Sequence, residues 1–111
     1  MAYDEHLADR VREIVSASGE FSERKMFGGL AFMVGGHMAV AASREGGIML
    51  RVDPTETDAL LAKPFCRPFR MRDKPIDGWL RVDADGVTTK RQLERWVMRG
   101  VAYARAQPPR R

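Results

Sequence analysis

Arginine side chains recur at four-residue intervals near the end of the chain, at Arg91, Arg95 and Arg99. On a helix this spacing places the three guanidinium groups along one face, opposite the apolar face that contains Trp96. Such a stripe can bind the phosphates of a nucleic acid or the carboxylates of an acidic protein partner. A solvated helix face has the same sequence pattern, so the stripe marks a candidate interaction surface without identifying its partner.

A second basic segment contains Arg70 and Arg72. Alternate side chains of a β-strand share a face, so we expect these two arginines on one side of a strand and Phe69 and Met71 on the other. We therefore add Arg70 and Arg72 to the candidate interaction surface. Base-specific reading of DNA is not indicated, because the sequence has no helix-turn-helix, zinc-finger or RNA-binding aromatic motif.

Residues suited to catalysis or metal binding are sparse, since the chain has one cysteine, Cys66, and two histidines, His6 and His37. The histidines fall on different predicted elements, and no group of residues has the spacing of metal ligands. Arg67 could lower the pKa of the Cys66 thiol, but a small packed thiol beside Phe65 explains the same residues. We predict no catalytic, cofactor or metal site, and keep a ligand-binding or catalytic site near Cys66 and His37 as a third hypothesis.

The composition is that of one small folded domain. With 111 residues, 44% of them hydrophobic and 31% charged, the chain can bury a core without disulfides or a structural metal. The net charge of +4 is unevenly distributed: residues 1–62 are net negative, whereas residues 90–111 carry seven basic side chains and one acidic side chain. We predict a single domain over residues 1–107 and a short basic tail over residues 108–111.

Three observations predict a cytoplasmic protein. The amino terminus lacks the basic start and apolar stretch of a signal peptide. No apolar run approaches the roughly 18 residues of a membrane span, so we expect no membrane association. Cys66, being single, cannot form an intramolecular disulfide, which suits a reducing compartment.

The first half of the chain predicts one helix and three strands. Apolar residues at helical spacing predict an amphipathic helix over residues 3–17. Residues 25–34 are typical of a strand that the pair Gly28-Gly29 bends or bulges. Gly35-Gly36 predicts a two-residue hairpin turn, because both positions tolerate the positive φ that this turn requires. Two further strands, over residues 37–42 and 48–52, complete an antiparallel meander.

The second half predicts a short helix, two strands and a long helix. Asp53 and Pro54 are typical of a helix start, and the helix must end before Pro64. Strands are expected over residues 68–72 and 79–82, joined by a loop over residues 73–78.

The last helix has the clearest signals. Thr89 and Gln92 fit a capping box at its start. Gly100 lies in its interior, where glycine costs about 1 kcal/mol relative to alanine, so we expect a close approach to the sheet there. The resulting order, α-β-β-β-α-β-β-α, predicts a two-layer α+β fold with an antiparallel sheet and helices on one face.

Several segments along the chain together form a more specific pattern. They are Lys25-Met26-Phe27-Gly28-Gly29-Leu30-Ala31-Phe32, Gly36-His37-Met38-Ala39, Leu50-Arg51-Val52, Gly78-Trp79-Leu80, Trp96-Val97 and Gly100-Val101-Ala102-Tyr103-Ala104. In these segments the chain resembles the N-terminal domain of the TfoX/Sxy family. The resemblance implies a fold of the secretion-chaperone-like kind, and it carries no established catalytic residues. We assign a structural role to the matching motif residues, which are Met26, Phe27, Gly28, Gly29, Gly36, Trp79 and Trp96.

Full-length members of this family carry a second, helical domain, and the resemblance implies a regulator of genetic competence that acts with the cyclic-AMP receptor protein at promoters. The sequence ends at Arg111, so we expect a stand-alone N-terminal domain. Our leading hypothesis is a non-enzymatic bacterial interaction domain that binds a protein partner, such as a transcription regulator, or forms a homodimer. It would use a sheet edge or the basic helix face. The alternative is a weak nucleic-acid binder without sequence specificity that uses Arg91, Arg95 and Arg99.

Overall fold

The structure, a computed structural model, describes residues 3–108 of the chain. Within these residues the helices are α1 (Glu5–Ser18), α2 (Thr57–Leu61) and α3 (Lys90–Ala106). The strands are β1 (Ser22–Met26), β2 (Gly29–Val34), β3 (His37–Ala42), β4 (Ile48–Arg51), β5 (Cys66–Met71) and β6 (Lys74–Val82). Single 3₁₀ turns cover Pro54–Glu56 and Ala84–Gly86. The predicted α+β class is confirmed, and residues 109–111 of the predicted basic tail lie outside the described residues.

The strands form one sheet in the order β1-β2-β3-β4-β6-β5, with every neighbouring pair antiparallel. All three helices contribute to a single apolar core on one face of this sheet, where Phe32, Leu50 and Leu80 are fully buried. The prediction of an antiparallel sheet with helices on one face is therefore confirmed. No helix in the part of the chain that the structure describes is long and apolar enough to span a membrane.

The segment predicted as one bent strand is two strands joined by a tight turn. Phe27 and Gly28 both have positive φ, 53° and 76°, and the strands on either side pair from Met26 and Gly29 onward. The group between α1 and α2 thus contains four strands, one more than predicted. Sequence patterns do not show this turn, because a bulky residue such as Phe27 rarely adopts the left-handed conformation. Gly29 is needed for packing, since a Cβ there would lie 2.2 Å from the carbonyl oxygen of Ala42.

Most of the predicted loop over residues 73–78 is instead the beginning of β6, which starts at Lys74. Arg72 and Asp73, with φ of 53° and 66°, form a two-residue turn that ends β5. Proline normally interrupts a sheet because it has no N–H to donate. Pro75 is tolerated because it pairs only with Arg70 of β5, while β4 pairs with the later part of β6, from Trp79 to Val82. The hairpin therefore projects beyond the rest of the sheet.

The ends and packing of α3 follow the sequence closely. Thr89 and Gln92 form the predicted capping box, with the Gln92 N–H donating to the Thr89 hydroxyl and the Thr89 N–H donating to the Gln92 side chain. A Cβ at Gly100 would lie 2.1 Å from the carbonyl oxygen of Ala39 on β3. The predicted close approach between this helix and the sheet is confirmed.

The opposite face of the sheet, called here the helix-free face, has an apolar cluster of its own. Its buried members are Ala31, Met33, Met38, Ala41 and Met49. Within the described residues they are covered by side chains of the sheet itself, and Met26, Phe69 and Trp79 pack against them. Small and flexible side chains allow this packing, because methionine fills irregular spaces and alanine lets neighbours approach.

Candidate functional site

The predicted arginine stripe lies along α3, with Arg91 and Arg95 exposed and Arg99 partly buried. The sequence predicted that the whole stripe lies opposite the apolar face, but Arg99 departs from this arrangement. The guanidinium carbon of Arg99 lies 5.0 Å from the centre of the Trp96 ring, because residues three apart on a helix are neighbours. Arg99 therefore forms a cation–π contact that holds its charge at the edge of the core.

Arg95 and Arg99 line a surface groove of about 230 Å³ between α3 and the loop that follows α2. Lys63 and Phe65 of that loop form the other side. We call these four residues the basic groove. Arg91 lies one turn earlier on α3 and does not line it.

Phe65 is held in an unusual position beside these cations. Its φ is 68°, in the left-handed region, and its side chain is 45% exposed. The backbone is fixed by the Asp83 N–H, which donates to the Phe65 carbonyl at 2.9 Å. A Cβ on Gly86 would lie 2.7 Å from the Phe65 Cβ, so Gly86 provides the space in which Phe65 sits. An exposed and conformationally strained aromatic residue is more typical of a binding surface than of a core.

The cations of the basic groove have no carboxylate partner within residues 3–108. The ion pairs in this part of the chain join Arg12 to Asp9 and Glu23, Arg67 to Asp83, Arg81 to Glu45, and Lys90 to Glu13. Positive charge that is not neutralised within the fold attracts anionic groups from outside. The basic groove is therefore suited to carboxylates or phosphates.

Arg70 and Arg72 do not join the α3 stripe. Arg70 lines a cavity on the helix-free face, whereas α3 packs against the other side of the sheet. Arg72 lies in the turn after β5, so strand alternation does not determine where its side chain points. The surface predicted as one set of five arginines is thus divided between separate parts of the molecule.

The cavity that contains Arg70 lies where the two ends of the sheet meet. Phe27, in the turn between β1 and β2, contacts Phe69 on β5 at a ring-centre distance of 5.9 Å and Trp79 on β6 at 6.3 Å. Phe69 and Trp79 are 5.8 Å apart. We call these three side chains the aromatic cluster. The cavity beside it has a volume of about 270 Å³.

The family-motif residues, given only a structural role from the sequence, include several that border these spaces. Met26, Phe27 and Gly29 line the cavity on the helix-free face, and Trp96 lines the groove on the other side of the sheet. Gly36 occupies the hairpin turn with φ of 83°, as predicted. The cavity itself was missed, because it forms only when the turn at Phe27 meets a strand more than forty positions later in the chain.

Cys66 and His37 do not converge on a common site. Cys66 pairs with Val82, Val82 with Ile48, and Ile48 with Ala42, which is the last residue of β3. His37 is the first residue of β3, so it lies about 17 Å along that strand from Ala42, and Cys66 lies three strands away from Ala42 across the sheet. This separation removes the geometric basis for the third hypothesis.

The environments of these two residues are also unsuited to shared chemistry. Burial raises the pKa of the Cys66 thiol to about 11, and the positive charge of Arg99 opposes this rise only in part. The thiol is therefore protonated at neutral pH, whereas nucleophilic cysteines act as thiolates. The Nε2 atom of His37 lies 2.6 Å from the carbonyl oxygen of Pro108, which occupies that ring nitrogen. Within residues 3–108 no three His, Cys, Asp or Glu side chains are grouped as metal ligands would be.

In a comparison with known families, a family model described as the TfoX N-terminal domain matches residues 13–104. The match includes all six strands and all of α2, together with most of α3. No curated protein and no solved structure matches the chain.

Proposed function

The chain belongs to the TfoX N-terminal domain family, and from its surface we propose that it is a protein-interaction domain whose basic groove binds an acidic segment of a partner protein. One observation carries the proposal. Lys63, Arg95 and Arg99 line the same groove as the half-exposed ring of Phe65, and none of the three cations forms an ion pair within the described residues. A segment with both carboxylates and an apolar side chain complements this combination.

The shape of the surface favours a protein segment over a nucleic acid. The groove is lined by the loop after α2, one face of α3 and Gly86, and Phe65 and Trp96 contribute aromatic rings to it. A duplex backbone presents phosphates along its length and offers no apolar group for the Phe65 ring. A duplex would also engage Arg91, which lies outside the groove on the same stripe. A peptide contact uses Arg95 and Arg99 more than Arg91.

The proposal is for binding without catalysis, and the neutral state of the Cys66 thiol supports it. Family membership supports a role in regulation, with a transcription regulator as the partner and competence as the process. The single cysteine supports a cytoplasmic setting. A homodimer is a separate part of the proposal, and light scattering on the purified protein tests it by giving the mass of the particle in solution.

The central experiment is a titration of the purified protein with short fluorescein-labelled peptides, read by fluorescence anisotropy. The first peptide alternates glutamate with leucine and phenylalanine, and the control peptide has lysine in place of each glutamate. We expect the acidic peptide alone to bind. Arg95→Gln and Arg99→Gln should each weaken it about tenfold, because each removes a charge-assisted hydrogen bond in the groove.

Arg91→Gln is the matched control, since it removes the same charge from the same helix outside the groove. We expect it to change the affinity for the acidic peptide less than twofold (roughly the change from a distant, solvent-screened charge). A short DNA duplex is titrated in parallel at several salt concentrations. Duplex binding that falls steeply with salt and weakens equally in all three variants would establish the nucleic-acid alternative. Failure of the acidic peptide to bind would overturn the proposal.

A further inference from the structure

We propose that the cavity on the helix-free face is a binding site for a small carboxylic acid with a flat apolar body. The cavity has a volume of about 270 Å³ and is lined both by apolar side chains and by three arginines. It lies on the opposite side of the sheet from the basic groove and shares no lining residue with it. The inference is therefore independent of the proposed function.

The aromatic lining comes from the two ends of the sheet. Phe27 and Phe69 both line the cavity, and their rings meet edge to face at a centre distance of 5.9 Å. Trp79 on β6 packs against both rings, with ring-centre distances of 6.3 Å to Phe27 and 5.8 Å to Phe69. Rings that meet in this way present faces and edges to a flat ligand, and aromatic pairs favour such offset and perpendicular arrangements.

Small and flexible residues also line the cavity. Gly29, Ala41 and Met49 are among them. Gly29 cannot carry a side chain, since a Cβ there would lie 2.2 Å from the carbonyl oxygen of Ala42. Met26 and Met49 line the cavity with thioethers, which adapt to ligands of differing shape.

The charge of the cavity selects an anion. Arg44, Arg70 and Arg81 line the cavity together with one carboxylate, Glu45. Glu45 is already paired with Arg81. Arg44 and Arg70 have no carboxylate partner within residues 3–108, so the cavity carries net positive charge.

The two arginines without carboxylate partners are held near the cavity. The stem of Arg44 lies over the turn at Gly28, where an added Cβ would be 2.7 Å from the Arg44 Cδ atom. Arg70 uses one N–H group to donate to the Asp73 carbonyl at 3.3 Å, which leaves the others of its five N–H donors for a ligand. A carboxylate accepts two parallel hydrogen bonds from a guanidinium group, so it fits this cavity better than a neutral group.

The volume limits the size of the ligand. Pockets for drug-sized molecules begin at about 300 Å³, and this cavity of about 270 Å³ lies just below that range. A single aromatic ring with a short acidic side chain matches it, whereas a dinucleotide does not.

The experiment is an NMR titration of protein that carries ¹³C-labelled methionine methyl groups, with phenylacetate as the probe. Met26 and Met49 line the cavity, and Met98 on α3 packs against the core on the other face and serves as an internal control. We expect saturable shifts of the Met26 and Met49 signals, with Met98 unmoved. Phenylacetamide has the same ring without the charge, and we expect it to bind at least about tenfold more weakly.

Variants of exposed arginines assign the binding to this cavity. Arg70→Gln and Arg44→Gln should each weaken phenylacetate binding about tenfold without changing the weaker binding of phenylacetamide. Arg72→Gln is the matched control, because Arg72 is two positions from Arg70, carries the same charge and does not line the cavity. The proposal is overturned if phenylacetate leaves Met26 and Met49 unshifted, if phenylacetamide binds as well, or if Arg72→Gln weakens binding as much as Arg70→Gln.

Discussion

The ring of Phe27 lies 5.9 Å from the ring of Phe69, although these residues belong to opposite ends of a six-stranded sheet. Phe27 is in the turn that leaves β1, and Phe69 is on β5, the strand at the other edge. The sheet must curl for the two rings to meet. This contact joins the two ends of the sheet on the helix-free face, and both rings line the cavity there.

The Phe27–Phe69 contact should appear as a coupling energy in a double-mutant cycle. Phe27→Ala and Phe69→Ala, separately and together, should give a coupling of about 0.5–1.5 kcal/mol in the free energy of unfolding. Alanine keeps the left-handed strain at position 27, so the cycle isolates the ring contact. Urea denaturation measures it. Phe21, which packs on Phe32 instead, provides the control pair with Phe69, and its coupling should be near zero.

Gly100→Ala should destabilise the protein although alanine is the better helix former. The new Cβ would meet the Ala39 carbonyl oxygen at 2.1 Å, and overpacking of this kind costs about 1–3 kcal/mol. Ala102 is exposed on the same helix, and Ala102→Gly reports the propensity difference alone, about 1 kcal/mol. Thermal unfolding of both variants compares the two effects. A Gly100→Ala protein that is more stable than wild type would contradict the close packing of α3 on β3.

Thr57→Val should cost about 1–3 kcal/mol, because it leaves a buried N–H without a partner. The Thr57 hydroxyl accepts from the Gly78 N–H at 2.8 Å and donates to the Pro54 carbonyl at 2.8 Å. Valine has nearly the same shape and can do neither. Thr57→Ser keeps both hydrogen bonds and should stay within about 1 kcal/mol of wild type. Equal denaturation midpoints for the valine and serine variants would show that the hydroxyl does not hold Gly78.

Alkylation of Cys66 should be slow in the native protein. Burial raises the pKa of this thiol from its usual value near 9 to about 11, so at pH 8 its thiolate fraction falls about a hundredfold. Iodoacetamide should react correspondingly faster once urea unfolds the chain. Arg99→Gln should slow the native reaction further, because the Arg99 charge lowers the pKa of Cys66. A native rate equal to that of the unfolded chain would contradict the burial.

The raised pKa of Cys66 also makes the stability of the folded protein depend on pH. A thiol whose pKa is higher in the folded state favours folding while it is protonated. The contribution of Cys66 to the free energy of unfolding is complete below about pH 9 and is lost as the pH rises toward 11. Cys66→Ala should remove this part of the alkaline loss, which denaturation midpoints of the two proteins between pH 8 and 11 will show.

Local features of the sequence predicted several elements correctly. The capping box of Thr89 and Gln92 and the glycine turn at Gly35-Gly36 involve atoms only a few positions apart, so residue type and spacing are sufficient to identify them. The turn at Phe27 and the start of β6 were not predictable in this way. Phe27 adopts a conformation that its residue type disfavours, and Pro75 lies within a strand because at that position the strand pairs with β5 only.

The amino-acid sequence by itself determined the α+β class, the helix-covered face and the arginine stripe on α3, because periodicity and capping arise within single elements. Only the tertiary structure decided which side chains share a site. It brought Lys63 and Phe65 beside Arg95 and Arg99, and it placed Arg70 in a separate cavity across the sheet. These groupings depend on strand order and on the curl that joins Phe27 to Phe69, which are set by contacts between distant parts of the chain.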